Sequence, residues 1–514
     1  MDGRIPAATM VAMIYLDANA TSPLLPVARD AAQAALSANF GNPSSTHAVG
    51  LRARAVLDAT RACARRVLGA PDGRLLFTSG ATEGIQTAVL SALVALKQRG
   101  ETGGLLLYGA TEHKAVPQAL AHWNAILGTG CEVRALPVDA DGLHRLDILR
   151  RLAPQARLVC TMAANNETGV VSDLAGIGAV LQGSAALWMV DGVQALGKLP
   201  LALGATRIDY APFSGHKLYA PKGIGLLYVR AGSPFTPLIA GGGQEDGQRS
   251  GTENMAGIAA FGAVLRALEE GATFCGHATL AGYRDRLATA LRAAFPGLVF
   301  NVPFTHALPT TINFSVPGRP SSDIVDLFDA AGIQVSAGSA CSSAGTAPSY
   351  VLAAMAVPHV QAASAVRLSF GPAVDAASID AACARIAHCG RCLASFPAVA
   401  APELVSEEHA PAAVLEHAGL AAFFDAHPDA ELIDVREAFE HAAGAPSLGG
   451  RAPRCVPMSR HGDAIAGWLA RPDHAIVFVC RSGKRSARLA ATLRHLGRIR
   501  VYHLAGGFAL AGEP

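Results

Sequence analysis

Along residues 15–394, short unbroken apolar runs alternate with longer stretches in which apolar residues recur at helical spacing. Leu75-Leu76-Phe77-Thr78, Gly104-Leu105-Leu106-Leu107-Tyr108, Leu158-Val159-Cys160-Thr161 and Leu187-Trp188-Met189-Val190 have strand length, and each gives way to small or polar residues. A run that is apolar at nearly every position predicts a strand covered on both faces, hence a mostly parallel sheet. Residues 81–97 and 113–127 read as helices between such strands. The outcome is an α/β plan with functional loops at the strand ends.

The pattern changes near residue 395. Ser395-Phe396-Pro397-Ala398-Val399-Ala400-Ala401-Pro402 and Ser406-Glu407-Glu408-His409-Ala410-Pro411 lack periodicity and read as an interdomain linker. Beyond it, Glu431-Leu432-Ile433-Asp434, Ala475-Ile476-Val477-Phe478-Val479 and Arg500-Val501-Tyr502-His503 are strands again, with a helix at 486–496. The expected division is an extension at 1–13, a large domain at 14–394, a linker at 395–411 and a smaller α/β domain at 412–514.

Composition narrows the class. With 514 residues and 51% hydrophobic content, the chain can fill a large core. The 42 basic and 40 acidic residues leave a net charge of +2, which argues against a nucleic-acid or membrane surface as the main partner. Residues 1–13 contain no secretory-type apolar run, and no window has the length of a membrane span. Ten scattered cysteines do not make a disulfide framework, so a reducing cytoplasm is the expected location.

Two neighbouring segments carry the chemistry. Asp191-Gly192-Val193-Gln194 follows a strand, and Ser214-Gly215-His216-Lys217 places a lysine beside hydrogen-bond donors. A lysine that forms a Schiff base with an aldehyde cofactor needs donors nearby for a phosphate. It also needs a carboxylate that keeps a pyridine nitrogen protonated. In these segments the chain resembles the class V aminotransferase family, and within it the cysteine desulfurases of the NifS/IscS type. The resemblance implies pyridoxal 5'-phosphate and fold type I, a large mixed-sheet domain with a small α+β domain. It makes Lys217 the Schiff-base lysine, pairs Asp191 with the pyridinium and sets Gln194 on the phenolic oxygen.

Further matches fall in family order. Thr78-Ser79-Gly80-Ala81-Thr82-Glu83 opens a helix, whose N-terminus favours phosphate. The resemblance makes Ala81 and Thr82 phosphate ligands together with Ser214 and His216. Arg249-Ser250-Gly251-Thr252 matches the segment whose threonine, Thr252, reaches the phosphate across a dimer interface, which implies a homodimer. His113, in Thr111-Glu112-His113-Lys114, would stack on the cofactor and move protons. Asn166, in Asn165-Asn166-Glu167-Thr168-Gly169, would contact cofactor and substrate, and Asn42-Pro43-Ser44-Ser45 would shape the site. Arg367 would clamp the substrate carboxylate through its bidentate fork.

Two thiols complete the reading. Cys341 lies in a loop of small residues, Ser336-Ala337-Gly338-Ser339-Ala340-Cys341-Ser342-Ser343-Ala344-Gly345. A nucleophile there suits attack on the sulfur of bound L-cysteine, leaving alanine and a Cys341 persulfide. Cys480-Arg481-Ser482-Gly483-Lys484-Arg485-Ser486 joins a strand to a helix and resembles the active loop of rhodanese domains. Its backbone N–H groups and the three cations Arg481, Lys484 and Arg485 would stabilise a thiolate or persulfide. Asp434-Val435-Arg436-Glu437 and Leu504-Ala505-Gly506-Gly507-Phe508 match that family too, whereas 438–457 lacks its usual pattern. The loop is shorter than a phosphatase loop, which favours sulfur over phosphate.

Cys389-Gly390-Arg391-Cys392, with Cys383 and His388, lacks a second ligand pair at zinc spacing, so no metal site is expected. The resulting expectation is a cysteine desulfurase fused to a rhodanese domain. It would pass sulfur from Cys341 to Cys480, or to an acceptor protein or thiol serving iron–sulfur cluster or other sulfur-compound biosynthesis. Selenocysteine lyase activity and a sulfur-carrier scaffold with vestigial catalysis are the alternatives.

Overall fold

The computed structural model describes residues 13–337, 349–396 and 413–511. The expected extension and linker, and the Cys341 loop, lie wholly or almost wholly outside these residues.

A seven-stranded sheet organises the large domain. Its order is Arg74–Thr78, Gly225–Val229, Tyr210–Ser214, Leu187–Asp191, Ala156–Met162, Leu105–Gly109 and Glu132–Leu136. Gly225–Val229 runs antiparallel to both neighbours, and the remaining pairings are parallel. It reverses because residues 215–224 are too short for the crossover that parallel pairing requires. Helices cover both faces. Phe77, Trp188 and Phe213 face one apolar cluster, while Leu106, Leu158 and Met189 face another. This two-sided burial is what the unbroken apolar runs require.

Helix Ala81–Gln98 starts where the sequence places it. The next helix begins at Ala115, not His113, because the His113 ring accepts a hydrogen bond from the Ala115 N–H at 3.2 Å. His113 is thereby left at the strand end instead of inside a helix.

A second, antiparallel sheet orders Ser336–Ala337, Ala365–Ser369, Thr311–Ser315 and Val299–Phe300. Helices His277–Ala294, Ser321–Ala330 and Ala376–Ser395 bury their apolar faces in its core. Ile14–Tyr15 pairs in parallel with Ile333–Gln334, tying the start of the described chain to this unit.

The C-terminal sheet has the order Ala413–Leu415, Val501–Leu504, Ile476–Val479, Glu431–Asp434 and Arg454–Cys455, all parallel. Its helix Lys484–His495 starts two residues before the position expected from sequence, since Gly483 takes a left-handed φ of 86° and turns the chain early. Helix Ala438–Ala443, in the segment without the family pattern, packs on the preceding unit. Phe439 and Ala443 join the cluster that contains Ile324, Leu327 and Phe328. Gly444 fits there because a Cβ would sit 2.1 Å from the carbonyl oxygen of Ala330.

Candidate active site

The carboxyl ends of adjacent strands bring the predicted residues together. Asp191 ends Leu187–Asp191 and is buried, accepting a hydrogen bond from the Val193 N–H at 2.9 Å. Burial pushes its pKa up to about 6, against that hydrogen bond and the charge of Lys217. Lys217 closes the one-turn helix Gly215–Lys217 after Tyr210–Ser214, and its Nζ donates to the carbonyls of Asn19 and Ala20, both at 2.7 Å. Burial, Lys217 and Lys114 together hold the half-buried His113 below the ordinary imidazole value. His113 is therefore neutral near pH 7 and able to accept a proton.

An anion cradle lies beside them. Ala81 and Thr82 open helix Ala81–Gln98, so their N–H groups have no partner within the helix. A Cβ on Gly80 would lie 3.7 Å from the Ser214 hydroxyl, and one on Gly225 would lie 2.8 Å from the Gly80 Cα. The close approach thus depends on Gly225. His216 bonds Thr21 Oγ1 through Nδ1 at 3.2 Å, and burial, Lys217 and Lys222 lower its pKa to about 4. Thr252 is exposed and lines a cleft of about 280 Å³ with Thr78, Ser79 and Arg249. Glu83 accepts from Ser79 N–H at 2.7 Å and from Arg249 Nε at 2.9 Å, which fixes that rim.

Four residues that sequence reasoning did not single out complete the floor. Asn19 donates from Nδ2 to the Asn166 carbonyl at 3.2 Å, and its own carbonyl accepts from Gln194 Nε2 at 3.1 Å. Lys198 Nζ donates to Gln194 Oε1 at 2.6 Å and to Asn19 Oδ1 at 3.1 Å. Burial, Lys217 and Arg367 bring Lys198 down to about 7. Glu112 is fully enclosed, with one oxygen accepting from Met162 N–H at 2.5 Å and the other without a partner. Burial and the Asp191 charge raise its pKa well above normal. The fourth, Asp17, holds Arg367 Nη2 at 2.6 Å, while Arg367 Nη1 donates to the Asn166 carbonyl at 3.0 Å. Arg367 is only 2% exposed, so the expected carboxylate clamp already has an internal partner. Lys198 lies four residues after Gln194, and that short spacing is the only signal that could have found it.

The donor set suits pyridoxal 5'-phosphate: a buried carboxylate, a lysine close by, and a helix N-terminus with Ser214 and His216. Among the described residues, no group of three or more His, Cys, Asp or Glu side chains is placed to hold a metal ion. Cys389 and Cys392 lie on helix Ala376–Ser395 with their side chains in the core.

The second loop is also built. Cys480 follows Ile476–Val479 and is 1% exposed; its Sγ accepts from Ser486 N–H at 3.4 Å. The Cys480 and Arg481 carbonyls accept from the N–H groups of Phe508 and Ala509, both at 2.9 Å. A Cβ on Gly507 would collide with the Cys480 carbonyl oxygen. Arg436 pairs with the buried Asp434 at 2.8 Å and lies 4.0 Å over the Phe508 ring, which explains both flanking motifs. Of the expected cations, Arg481 and Arg485 already have carboxylate partners: Asp326 and Asp329 of helix Ser321–Ala330, and Glu440 of helix Ala438–Ala443. Ser482 and Lys484 are exposed.

Known proteins agree with this architecture. The aminotransferase class-V family model matches residues 14–382, and the rhodanese-like domain model matches residues 419–510. A cysteine desulfurase of Cereibacter sphaeroides is 41% identical over 370 residues, covering 71% of this chain and 93% of that protein. One of Gluconacetobacter diazotrophicus is 39% identical, covering 71% and 90%. A solved NifS-like protein superposes with a TM-score of 0.67 at 31% identity, over 75% of this chain and all of that one. With its strand-end lysine and carboxylate, the open helix N-terminus beside them and these matches, the chain belongs to the class V aminotransferase family, a pyridoxal-phosphate enzyme akin to the cysteine desulfurases that also carries a rhodanese-like domain.

Proposed function

We propose that the protein is a cysteine desulfurase that converts L-cysteine to L-alanine, captures the sulfur on Cys341 and passes it to Cys480. The observation that carries this reading is the convergence of Lys217, Asp191 and His113 at neighbouring strand ends, beside a cradle for phosphate. The desulfurase relatives supply the substrate class.

Pyridoxal phosphate, once bound, supplies an electron sink that weakens the Cβ–S bond of the substrate. Ala81, Thr82, Ser214 and His216 hold its phosphate. Asp191 holds the ring nitrogen, whose positive charge would draw the buried carboxyl back to its ionised form. Gln194, locked by Asn19 and Lys198, presents its amide to the ring oxygen. Neutral His113 moves a proton at the substrate Cα or thiol. Arg367 and Asn166 orient the substrate carboxylate. The Cys341 thiolate attacks the substrate sulfur, so that an S–S bond forms as the Cβ–S bond breaks. The bonding pair and a proton stay with the three-carbon product, which leaves as alanine.

Attack by the Cys480 thiolate on the outer sulfur of the Cys341 persulfide would move that sulfur and regenerate the first thiol. The rhodanese-like domain, at 412–514, would then present it to acceptors for iron–sulfur cluster or other sulfur-compound synthesis. The exposed Thr252 fits a homodimer with shared sites. The protein would work in the cytoplasm.

Peptide mass spectrometry after a brief pulse of L-cysteine tests the reading. Persulfide on Cys480 that disappears in Cys341→Ala is the expected result. Persulfide confined to Cys341 would remove the relay, and none on either cysteine would remove the desulfurase.

A further inference from the structure

The loop around Cys480 carries the arginines of the second domain, yet carboxylates of the preceding unit and of Glu440 pair with them. Arg481 donates to Asp326 Oδ1 at 2.6 Å and to Asp329 Oδ2 at 2.8 Å. Arg485 is bidentate on Glu440, at 2.7 and 2.8 Å, and lies 3.3 Å from Asp326 Oδ2. Asp326 and Asp329 belong to helix Ser321–Ala330. The same helix also packs on residues 438–444 through the Phe439 and Ala443 contacts and the tight Gly444–Ala330 approach. Asp323 stands on the same helix, close enough to Asp326 and Glu437 for their charges to act on one another. An incoming dianion therefore meets two guanidiniums already paired with carboxylates, beside a cysteine that is 1% exposed.

We propose that Asp326 and Asp329 determine the donor specificity of Cys480: they close its loop to free anionic sulfur donors and leave it to sulfur delivered within the protein. The second half of this statement rests on the proposed relay; the first rests on the ion pairs alone. Opposed carboxylates act by repulsion against the wrong donor, which is how charge commonly sets specificity.

Thiosulfate with cyanide as the acceptor is the probe. The Cys480 thiolate would attack the outer sulfur of thiosulfate, the S–S bond would break and sulfite would leave with the bonding pair. Cyanide would then take the outer sulfur as thiocyanate and return the thiolate. In the full-length holoenzyme, Asp326→Asn/Asp329→Asn is expected to raise kcat/KM for thiosulfate at least about tenfold, carried by a lower KM. The charge-preserving Asp326→Glu/Asp329→Glu should remain near wild type. Should the double Asn variant not fold, Asp329→Asn alone is expected to give a smaller rise in the same direction. Equal kcat/KM in wild type and Asn variants, or thiosulfate turnover absent from both, would overturn the proposal. Alanine release from L-cysteine, followed in the same preparations, reports on the desulfurase reading separately and should be unchanged.

Discussion

Arg367 and Asp17, 350 residues apart in sequence, form an ion pair at 2.6 Å, with the guanidinium 2% exposed. Ser336 Oγ donates to the other Asp17 oxygen at 2.6 Å, at the residue paired with Arg367 across the small sheet. The pair therefore links the first strand, the small sheet and the segment leading to the Cys341 loop. Arg367→Ala would leave Asp17 without its cation and is expected to cost about 3–5 kcal/mol. Urea denaturation at fixed cofactor concentration measures that cost. The KM for L-cysteine should also rise at least about tenfold if the arginine orients the substrate carboxylate. An unchanged KM would assign Arg367 to structure alone.

Glu167 gives a prediction in pH. Burial raises its pKa to about 7, against a hydrogen bond from Ser349 and the charges of Arg367 and Lys114. The folded state thus binds more protons than the unfolded chain between the normal carboxyl value and about 7, so stability falls as pH rises through that window. The loss is about 2–3 kcal/mol for a group this buried. Glu167→Gln keeps an acceptor for Ser349 and should flatten the profile, making the variant more stable than wild type at pH 8. Thermal melts from pH 5 to 8 would show the two curves diverging upward in pH; parallel curves would refute the assignment.

Lys198 fixes Gln194 by donating to its Oε1 at 2.6 Å, which leaves the Gln194 NH₂ to face Asn19 and the ring. Lys198→Met keeps the length but removes the donor. Alanine release should fall at least about tenfold, and the absorbance of the bound cofactor should shift as its ring oxygen loses an oriented partner. Normal absorbance and normal turnover together would show that Gln194 holds itself.

Gly225 lets the proposed phosphate cradle close, since a Cβ there would collide with the Phe213 carbonyl oxygen and lie 2.8 Å from the Gly80 Cα. Gly225→Ala should push the start of helix Ala81–Gln98 away from Ser214. The expected consequence is a loss of pyridoxal phosphate affinity of at least about tenfold, read by fluorescence titration of the cofactor-free protein. Cofactor affinity equal to wild type would show that the cradle yields without loss.

Local chemistry made much of this protein legible in the sequence. Unbroken apolar runs of strand length read as strands buried on both faces, so four strands of the large sheet and the strand-end position of Asp191 followed from them. The position of each predicted anion loop, between an apolar strand and a helix start, was legible in the same way. Asn19, Asp17, Lys198 and Glu112 were not legible. Their roles come from partners distant in sequence, and from burial that changes their protonation.

The second domain shows the same division. The Cys480 loop, between a strand and a helix, and its flanking motifs were legible through their resemblance to rhodanese domains. The same loop suggested three cations around the thiol, in a domain set off by a linker. Only the tertiary structure placed Asp326 and Asp329 against Arg481 and Arg485. A residue's type and local spacing fix what charge it can carry and what turn it can make. Which charges it meets depends on packing between segments more than 100 residues apart, |i−j| being 155 for Arg481 and Asp326, and no local pattern encodes that.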